Sequence, residues 1–304
     1  MSREPFTLPS FAKINLHLRV LGKRPDGFHE LCTVFQTVSL HDRITFAAAD
    51  ELSMTCDDAA IPTGEANLMI KAASRLRELV GVSSGAKLHL EKRIPSPGGL
   101  AGGSSNAAVT LIGLVRLWGL EISHEELLEI ASELGSDVPL FLEGGTMLGT
   151  GRGERLDPLP DFGCDGLLIV TPNVAVSTAA AYAGLRAESL TSEALETKLT
   201  VCRSEAENVL ADIEAGANDF ENTVLAAFPE IRNVGETLTG LGARKVLMSG
   251  SGASVFAIFD NILTRQTALE ALSQKADWRS FAAATVSRAE YREALFKEPV
   301  VVSE

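Results

Sequence analysis

Residues 95–105 read Pro95-Ser96-Pro97-Gly98-Gly99-Leu100-Ala101-Gly102-Gly103-Ser104-Ser105, a proline- and glycine-dominated stretch in which regular structure must break. Upstream, Lys87 to Glu91 alternates in the manner of a strand; downstream, Ala107 to Trp118 is apolar enough for a mostly buried helix. Ser104, Ser105 and Asn106 are each suited to cap that helix. The result is a strand, a glycine-rich loop and a helix N-terminus in succession. Four glycines permit close backbone approach and positive φ, and the helix points unpaired N–H groups and the positive end of its dipole at the loop. Such parts can cradle phosphate. The loop is not a G-x-x-x-x-G-K-[ST] loop and contains no G-x-G-x-x-G, so neither the P-loop nor the dinucleotide fingerprint applies. A tight structural turn is the competing reading, although four glycines carry an entropic cost that a simple turn does not require.

Outward from this loop, the chain has 304 residues, enough for two domains with proper cores. Its 27 basic and 40 acidic side chains leave a net charge of -13, with no Lys/Arg-rich run, which argues against wrapping nucleic acid. Small anions remain open, because backbone amides bind phosphate whatever the net charge. Cys32, Cys56, Cys164 and Cys202 lie far apart without a C-x-x-C pair, so reduced, buried thiols are expected. The first residues lack an apolar signal region and no run spans a bilayer; a cytoplasmic protein with no membrane partner is expected.

Thr7 to Val20 alternates, and Gly22 to Gly27 supplies turn chemistry, which predicts two strands joined by a polar loop. Val34 to Leu40 and Arg43 to Phe46 continue the strand pattern. Ala66 to Val80 and Glu125 to Leu134 carry helical spacing, and Gly135-Ser136-Asp137-Val138-Pro139 punctuates the second of these. Pro158-Leu159-Pro160 marks a domain boundary near residue 160. Leu167 to Val170 reads as strand, much of Ser189 to Glu236 as acidic helix, and Lys245 to Phe259 as strand, Ser-Gly turn, strand. The mixed pattern of Thr285 to Arg292 leaves its packing open.

Asp137 sits at a helix end, where a carboxylate can act as base for a substrate hydroxyl or simply serve a turn. Lys13 lies inside a strand, facing solvent or a site. Gly250-Ser251-Gly252-Ala253-Ser254 is a hairpin loop or a ligand contact. Asp161-Phe162-Gly163 spells a protein-kinase motif, but His41-Asp42-Arg43 is not H-R-D and the partner motifs are missing, so the match is chance. No H-E-x-x-H or G-x-S-x-G occurs.

In order, Ala12 to Leu16, Pro95 to Ala108 and Met248 to Ser254 resemble the three motifs of the GHMP small-molecule kinases. Ala12-Lys-Ile-Asn-Leu16, Arg24-Pro-Asp-Gly-Phe-His-Glu30, Gly135 to Pro139 and Met248 to Ser254 are similar to the branch acting on a cytidine-diphosphate-linked methylerythritol. The resemblance runs from about residue 10 to residue 260. It implies a two-domain α+β fold with the active site in the interdomain cleft. Residues 1–160 would form the ATP-binding and catalytic domain and 161–304 the substrate-side domain. The implied reaction is ATP-dependent, Mg2+-assisted phosphorylation of the alcohol's 2-hydroxyl on the route to isoprenoid precursors.

Lys13 and Asp137 match the family's catalytic pair. Pro95, Pro97, Gly98, Gly99, Leu100, Ala101, Gly102, Gly103, Ser104 and Ser105 match its ATP phosphate loop, and Asn67 a nucleotide contact. Asn15, Phe28, His29, Gly250 and Gly252 match substrate-side positions, the metal ligands being unassigned. Phe28 replaces the family's usual tyrosine, Pro97 and Ala101 stand where glycine is usual, and Asn106 where aspartate is common. Ala101 fits only if its φ is negative. A kinase for another alcohol, such as homoserine or a sugar, and a catalytically silent nucleotide-binding relative are the competing readings.

Overall fold

The computed structural model describes residues 4–185 and 192–296. Its frame is the hairpin of β1 (Phe6–Lys23) and β2 (His29–Ala49), paired antiparallel along nearly their whole length. The two expected stretches of the second strand are one continuous element. A register shift between Phe11 and Ala12, opposite Ser39 and Leu40, bends the pair where the pattern weakens.

One sheet adds β3 (Leu52–Cys56), β4 (Gly85–Glu91), β5 (Thr146–Gly151) and β6 (Arg155–Pro158), in the order β3-β4-β2-β5-β6 with β1 also on β2. The helices α1 (Leu68–Val80), α2 (Gly102–Trp118), α3 (His124–Leu134) and the short α4 (Leu140–Glu143) belong to this half. A core of Ile44, Phe46, Leu76, Leu88, Leu111 and Phe141 lies between them and the sheet. Ser123 caps α3 through a reciprocal box with Glu126, which explains why that helix begins where it does.

The second sheet is antiparallel, β7 (Leu167–Pro172), β8 (Lys245–Met248), β9 (Val255–Ile258) and β10 (Trp278–Ala283) in the order β10-β7-β9-β8. Around it run α5 (Thr178–Gly184), α6 (Ser192–Ala211), α7 (Glu221–Ala227), α8 (Pro229–Gly240) and α9 (Ile262–Leu272). Residues 189–191 of the expected acidic helical stretch lie outside the described residues. Strand alternation gives each sheet residue one of two environments. Leu168, Val170 and Ala257 pack under α8 and α9, while Leu167, Ile169 and Phe256 face a core shared with Ala12, Ile14, Leu16 and Val34 of the first hairpin.

The final segment returns to the first half as α10 (Arg288–Phe296). Its Tyr291 is fully buried and donates its hydroxyl proton to the Phe141 carbonyl at 2.6 Å, and the Val286 amide donates to Thr37 O at 2.9 Å. Cys32 on β2 and Cys202 on α6, 170 residues apart in sequence, meet across the shared core with Cα atoms 6.2 Å apart. Cys56 and Cys164 are free and only partly buried. Among the described residues no helix is long and apolar enough to cross a membrane.

Close packing of α2 on the sheet rests on Gly113, where an added Cβ would run into the fully buried Phe46 ring. Alanine normally favours a helix by about 1 kcal/mol over glycine. Here overpacking reverses the sign: Gly113→Ala is expected to destabilise by about 1–3 kcal/mol. Thermal and denaturant unfolding check this, and a stabilised variant would refute the packing argument.

Candidate active site

Lys13 and Asn15 lie on one face of β1, while Ala12, Ile14 and Leu16 enter the shared core; a register shift between Asn15 and His17 then turns His17 toward Glu205 of α6. Lys13 is therefore not a solvent lysine; it is 4% exposed. Its ammonium donates to Asn15 Oδ1 at 2.7 Å and lies 3.8 Å from Asp137 Oδ2. Asn15 in turn donates to Thr33 Oγ1, which donates to the His17 carbonyl, so the acceptor beside the lysine is held in place. Burial pushes the Lys13 pKa down from its usual value, opposed by the charge and hydrogen bonding of Asp137. Asp137 comes from the Gly135 to Pro139 turn after α3 and keeps about a third of its side chain exposed (34%), so its carboxylate meets both the lysine and the cleft.

The glycine-rich loop forms one wall. Three successive carbonyls of the loop are taken by donors: Gly98 O by the Ser254 amide at 3.1 Å, Gly99 O by Ser249 Oγ at 3.0 Å and Leu100 O by the Lys13 amide at 3.1 Å. Satisfying those negative ends removes groups that would repel an anion. Gly99 has φ of 72°, and a Cβ there would collide with the Ser249 carbonyl oxygen, so the glycine is required twice over. The expected serine cap is absent. α2 begins at Gly102 with Ala101 in the N-cap position and no side-chain cap, which leaves Ser104 and Ser105 inside the first turn. Ala101 adopts φ of 54°, contrary to the expected negative value. That conformation costs an alanine about 1–2 kcal/mol, and it persists because Leu100 on one side is buried and bonded to β1.

The opposite wall is the Arg24 to Glu30 loop. Arg24 pairs with Asp26 and with the buried Glu30 (each 2.9 Å), Asp26 accepts from the Phe28 amide, and Glu30 accepts from the Gly151 amide. This internal lock fixes Phe28 and His29. His29 stacks on Tyr182 with centroids 4.8 Å apart, and Tyr182 meets Phe220 edge-on. The Arg152 guanidinium lies 4.9 Å over the Phe28 ring. Burial, with Lys23 nearby, lowers the His29 pKa and keeps the ring neutral near pH 7; burial and then Asp137 push the Tyr182 hydroxyl up to about 12. Between the walls is a cavity of about 800 Å³.

Residues 67–145 match the model of the GHMP kinases N terminal domain and residues 201–277 that of the GHMP kinases C terminal. The chain is 42% identical over 252 residues to a 4-diphosphocytidyl-2-C-methyl-D-erythritol kinase of Exiguobacterium sibiricum, covering 82% of this chain and 87% of that one. The chain belongs to the GHMP kinases. It is also 36% identical to the enzyme of the same name from Acetivibrio thermocellus, over 93% of this chain and 100% of the other. A crystal structure of 4-(cytidine 5'-diphospho)-2C-methyl-D-erythritol kinase superimposes with a TM-score of 0.76 at 33% identity, covering 92% and 99% of the two chains. A homoserine kinase from Cytophaga hutchinsonii, at a TM-score of 0.68 and 19% identity over 94% of this chain and 95% of that one, shares the fold.

In this GHMP kinase the cavity collects most of the residues singled out from sequence: Lys13, Asn15, Phe28, His29, Asp137, Gly250 and the loop positions Pro95, Pro97, Gly98, Gly99, Ala101, Gly102, Gly103 and Ser104. Four do not line it. Leu100 is buried, Ser105 is buried and hydrogen-bonded to Ser10, and Gly252 lies on the far side of its turn against Met248. Asn67 caps α1, accepting from the Met69 amide and donating to Pro62 O. Asn106 is likewise buried and turned away from the cavity.

The structure adds Tyr182, Arg152 and Asn218. Buried Asn218 donates to Met248 O and Gly250 O and accepts from the Phe220 amide, holding the third motif from behind while placing an aromatic edge against Tyr182. Among the described residues no cluster of three or more His, Cys, Asp or Glu side chains is arranged to hold a metal ion.

Because the folded-state pKa of Lys13 is lowered, the unfolded chain binds more protons in the window below 10.5. Stability therefore rises with pH through that window. Lys13→Met removes the effect, so its stability relative to wild type is expected to decline as pH rises toward 10.5. Unfolding measured across alkaline pH checks this; a pH-independent difference would contradict the buried-ammonium assignment.

Proposed function

We propose that this GHMP kinase transfers the γ-phosphoryl group of ATP to the 2-hydroxyl of 4-diphosphocytidyl-2-C-methyl-D-erythritol, a step in isoprenoid precursor synthesis. The observation that carries the reading is the Lys13–Asp137 pair, 3.8 Å apart, between a glycine-rich helix start and an aromatic wall. Names of relatives along most of the chain support the same substrate.

Asp137 takes the proton as the alcohol oxygen attacks the γ-phosphorus and the bond to the β-phosphate oxygen breaks, releasing ADP. Lys13 lies close enough to offset the negative charge that develops on the alkoxide. The amides at the start of α2 and the loop hold the phosphates. The Ser104 hydroxyl, lining the cavity in the first turn of α2, would be a ligand for Mg2+, which would supply charge neutralisation at the phosphates. His29, neutral and stacked, offers a ring edge to cytosine, with Phe28 and Tyr182 supplying faces and Arg152 a charge for the diphosphate. Residues 1–160 and 161–304 are taken as the two domains, a division that fits the change of sheet between β6 and β7, with α10 crossing back.

The test is ADP release with ATP, Mg2+ and the cytidyl alcohol, beside homoserine and cytidine-free sugar alcohols. Turnover is expected with the cytidyl substrate alone. Asp137→Asn should lower it by at least ~100-fold while ATP affinity is retained. Turnover of another alcohol, or full activity in the variant, would overturn the substrate or the base assignment respectively.

A further inference from the structure

His41-Asp42-Arg43 carried no function in the sequence, yet Asp42 is a wholly buried carboxylate directly beneath the glycine-rich loop. Its Oδ1 accepts from the Arg93 and Ile94 amides at 2.7 Å each, the last residues before the loop. Its Oδ2 accepts from Asn106 Nδ2 at 3.1 Å, in the first turns of α2 just after the loop. The Lys92 ammonium closes the site, 2.9 Å from Oδ2, and also donates to the Ile94 carbonyl. Ser10 on the neighbouring strand completes the helix side, donating to Asn106 Oδ1 at 2.6 Å and approaching Ser105 Oγ at 2.8 Å.

A buried charge this well surrounded by donors is a rigid point, because any movement of its partners leaves it unsatisfied. Lys92 and Asn106 are 14 residues apart in sequence, and the whole loop hangs between them. The chain ends entering and leaving the loop are thus bound to one carboxylate. Ala101, held at φ of 54°, is the kind of strained residue that such a clamp maintains.

We propose that Asp42 is a positioning residue for nucleotide binding: it fixes both stems of the loop so that its amides and the start of α2 meet the ATP phosphates in one geometry. The inference rests on the loop's assignment under Proposed function. Asp42 is wholly buried away from the reacting atoms, and none of its partners, Lys92, Arg93, Ile94 and Asn106, belongs to the aromatic wall of Phe28, His29 and Tyr182, so its loss should act on one ligand only.

The experiment measures, by calorimetry, affinity for a non-hydrolysable ATP analogue with Mg2+ and for the cytidyl alcohol in wild type, Asp42→Asn and the exchange Asp42→Asn/Asn106→Asp. In Asp42→Asn the two facing amides present donors to each other and Lys92 loses its carboxylate, keeping only the Ile94 carbonyl. The analogue should bind at least ~10-fold more weakly, with the alcohol within about twofold of wild type. The exchange restores a donor–acceptor pair and the net charge, and should recover most of the analogue affinity. Unchanged analogue binding in Asp42→Asn, equal weakening of both ligands, or no recovery on exchange would each overturn the proposal. Should Asp42→Asn fail to fold, Asn106→Ala removes the helix-side bond together with the Ser10 contact and leaves Lys92 and the Arg93 and Ile94 amides on Asp42. Analogue binding weakened by about threefold or more with alcohol binding unchanged then supports the clamp, and no change overturns it. Hydrogen exchange of wild type separates the two readings. If the analogue fails to protect amides 98–105, the loop assignment falls and the inference with it; if it protects them while Asp42→Asn binds normally, the inference alone falls.

Discussion

The seam between Gly98–Leu100 and the residues that bond its carbonyls is the constraint on which the site depends. One loop of the first half is held simultaneously by the third-motif turn of the second half, through Ser249 and Ser254, and by the Lys13 amide of β1. Gly99 permits the contact because it has no Cβ to meet the Ser249 carbonyl. The apolar core shared by β1, β2 and the second sheet sets the two halves at the distance this seam requires. Glycine-rich loop, lysine and glycine turn are consequently one unit drawn from separate parts of the chain.

Local electrostatics overcome the global charge. A chain of net charge -13 gathers at one cavity a buried lysine, a helix start without a side-chain cap and a loop whose Gly98, Gly99 and Leu100 carbonyls are already satisfied, an arrangement suited to an anion. Burial lowers the Lys13 pKa and Asp137 resists that shift, so the lysine is kept beside a carboxylate that remains partly in water. Asp137 can therefore exchange a proton with a substrate while its partner stays desolvated. The Arg24 to Glu30 loop uses the opposite arrangement, a closed set of ion pairs and amide bonds that leaves Phe28 outward and His29 against Tyr182.

Much of this was legible from sequence because short-range chemistry determines it. The β1–β2 hairpin follows from alternation and a polar turn, α3 from its helical spacing, and the loop from its glycines. Lys13, Asp137, Phe28 and His29 stand in ordered motifs, and the fold brings them to one cavity. The start of α2 was misplaced because three good capping residues follow Gly103, whereas the strained Ala101 actually precedes the first turn. Tyr182 and Asn218 carry no local signal, since their partners arrive from distant segments. The Cys32–Cys202 pair is invisible for the same reason, and the return of α10 depends on Tyr291 finding the Phe141 carbonyl.

Gly99→Ala tests the central claim most directly, because it adds one methyl group at the seam and touches no reacting atom. Steady-state turnover should be measured alongside thermal unfolding. Displacement of the loop by about 1 Å is expected to lower kcat/KM for ATP by roughly 100-fold in a protein that remains folded. Wild-type turnover in a folded Gly99→Ala protein would show that the seam does not set the geometry of the site.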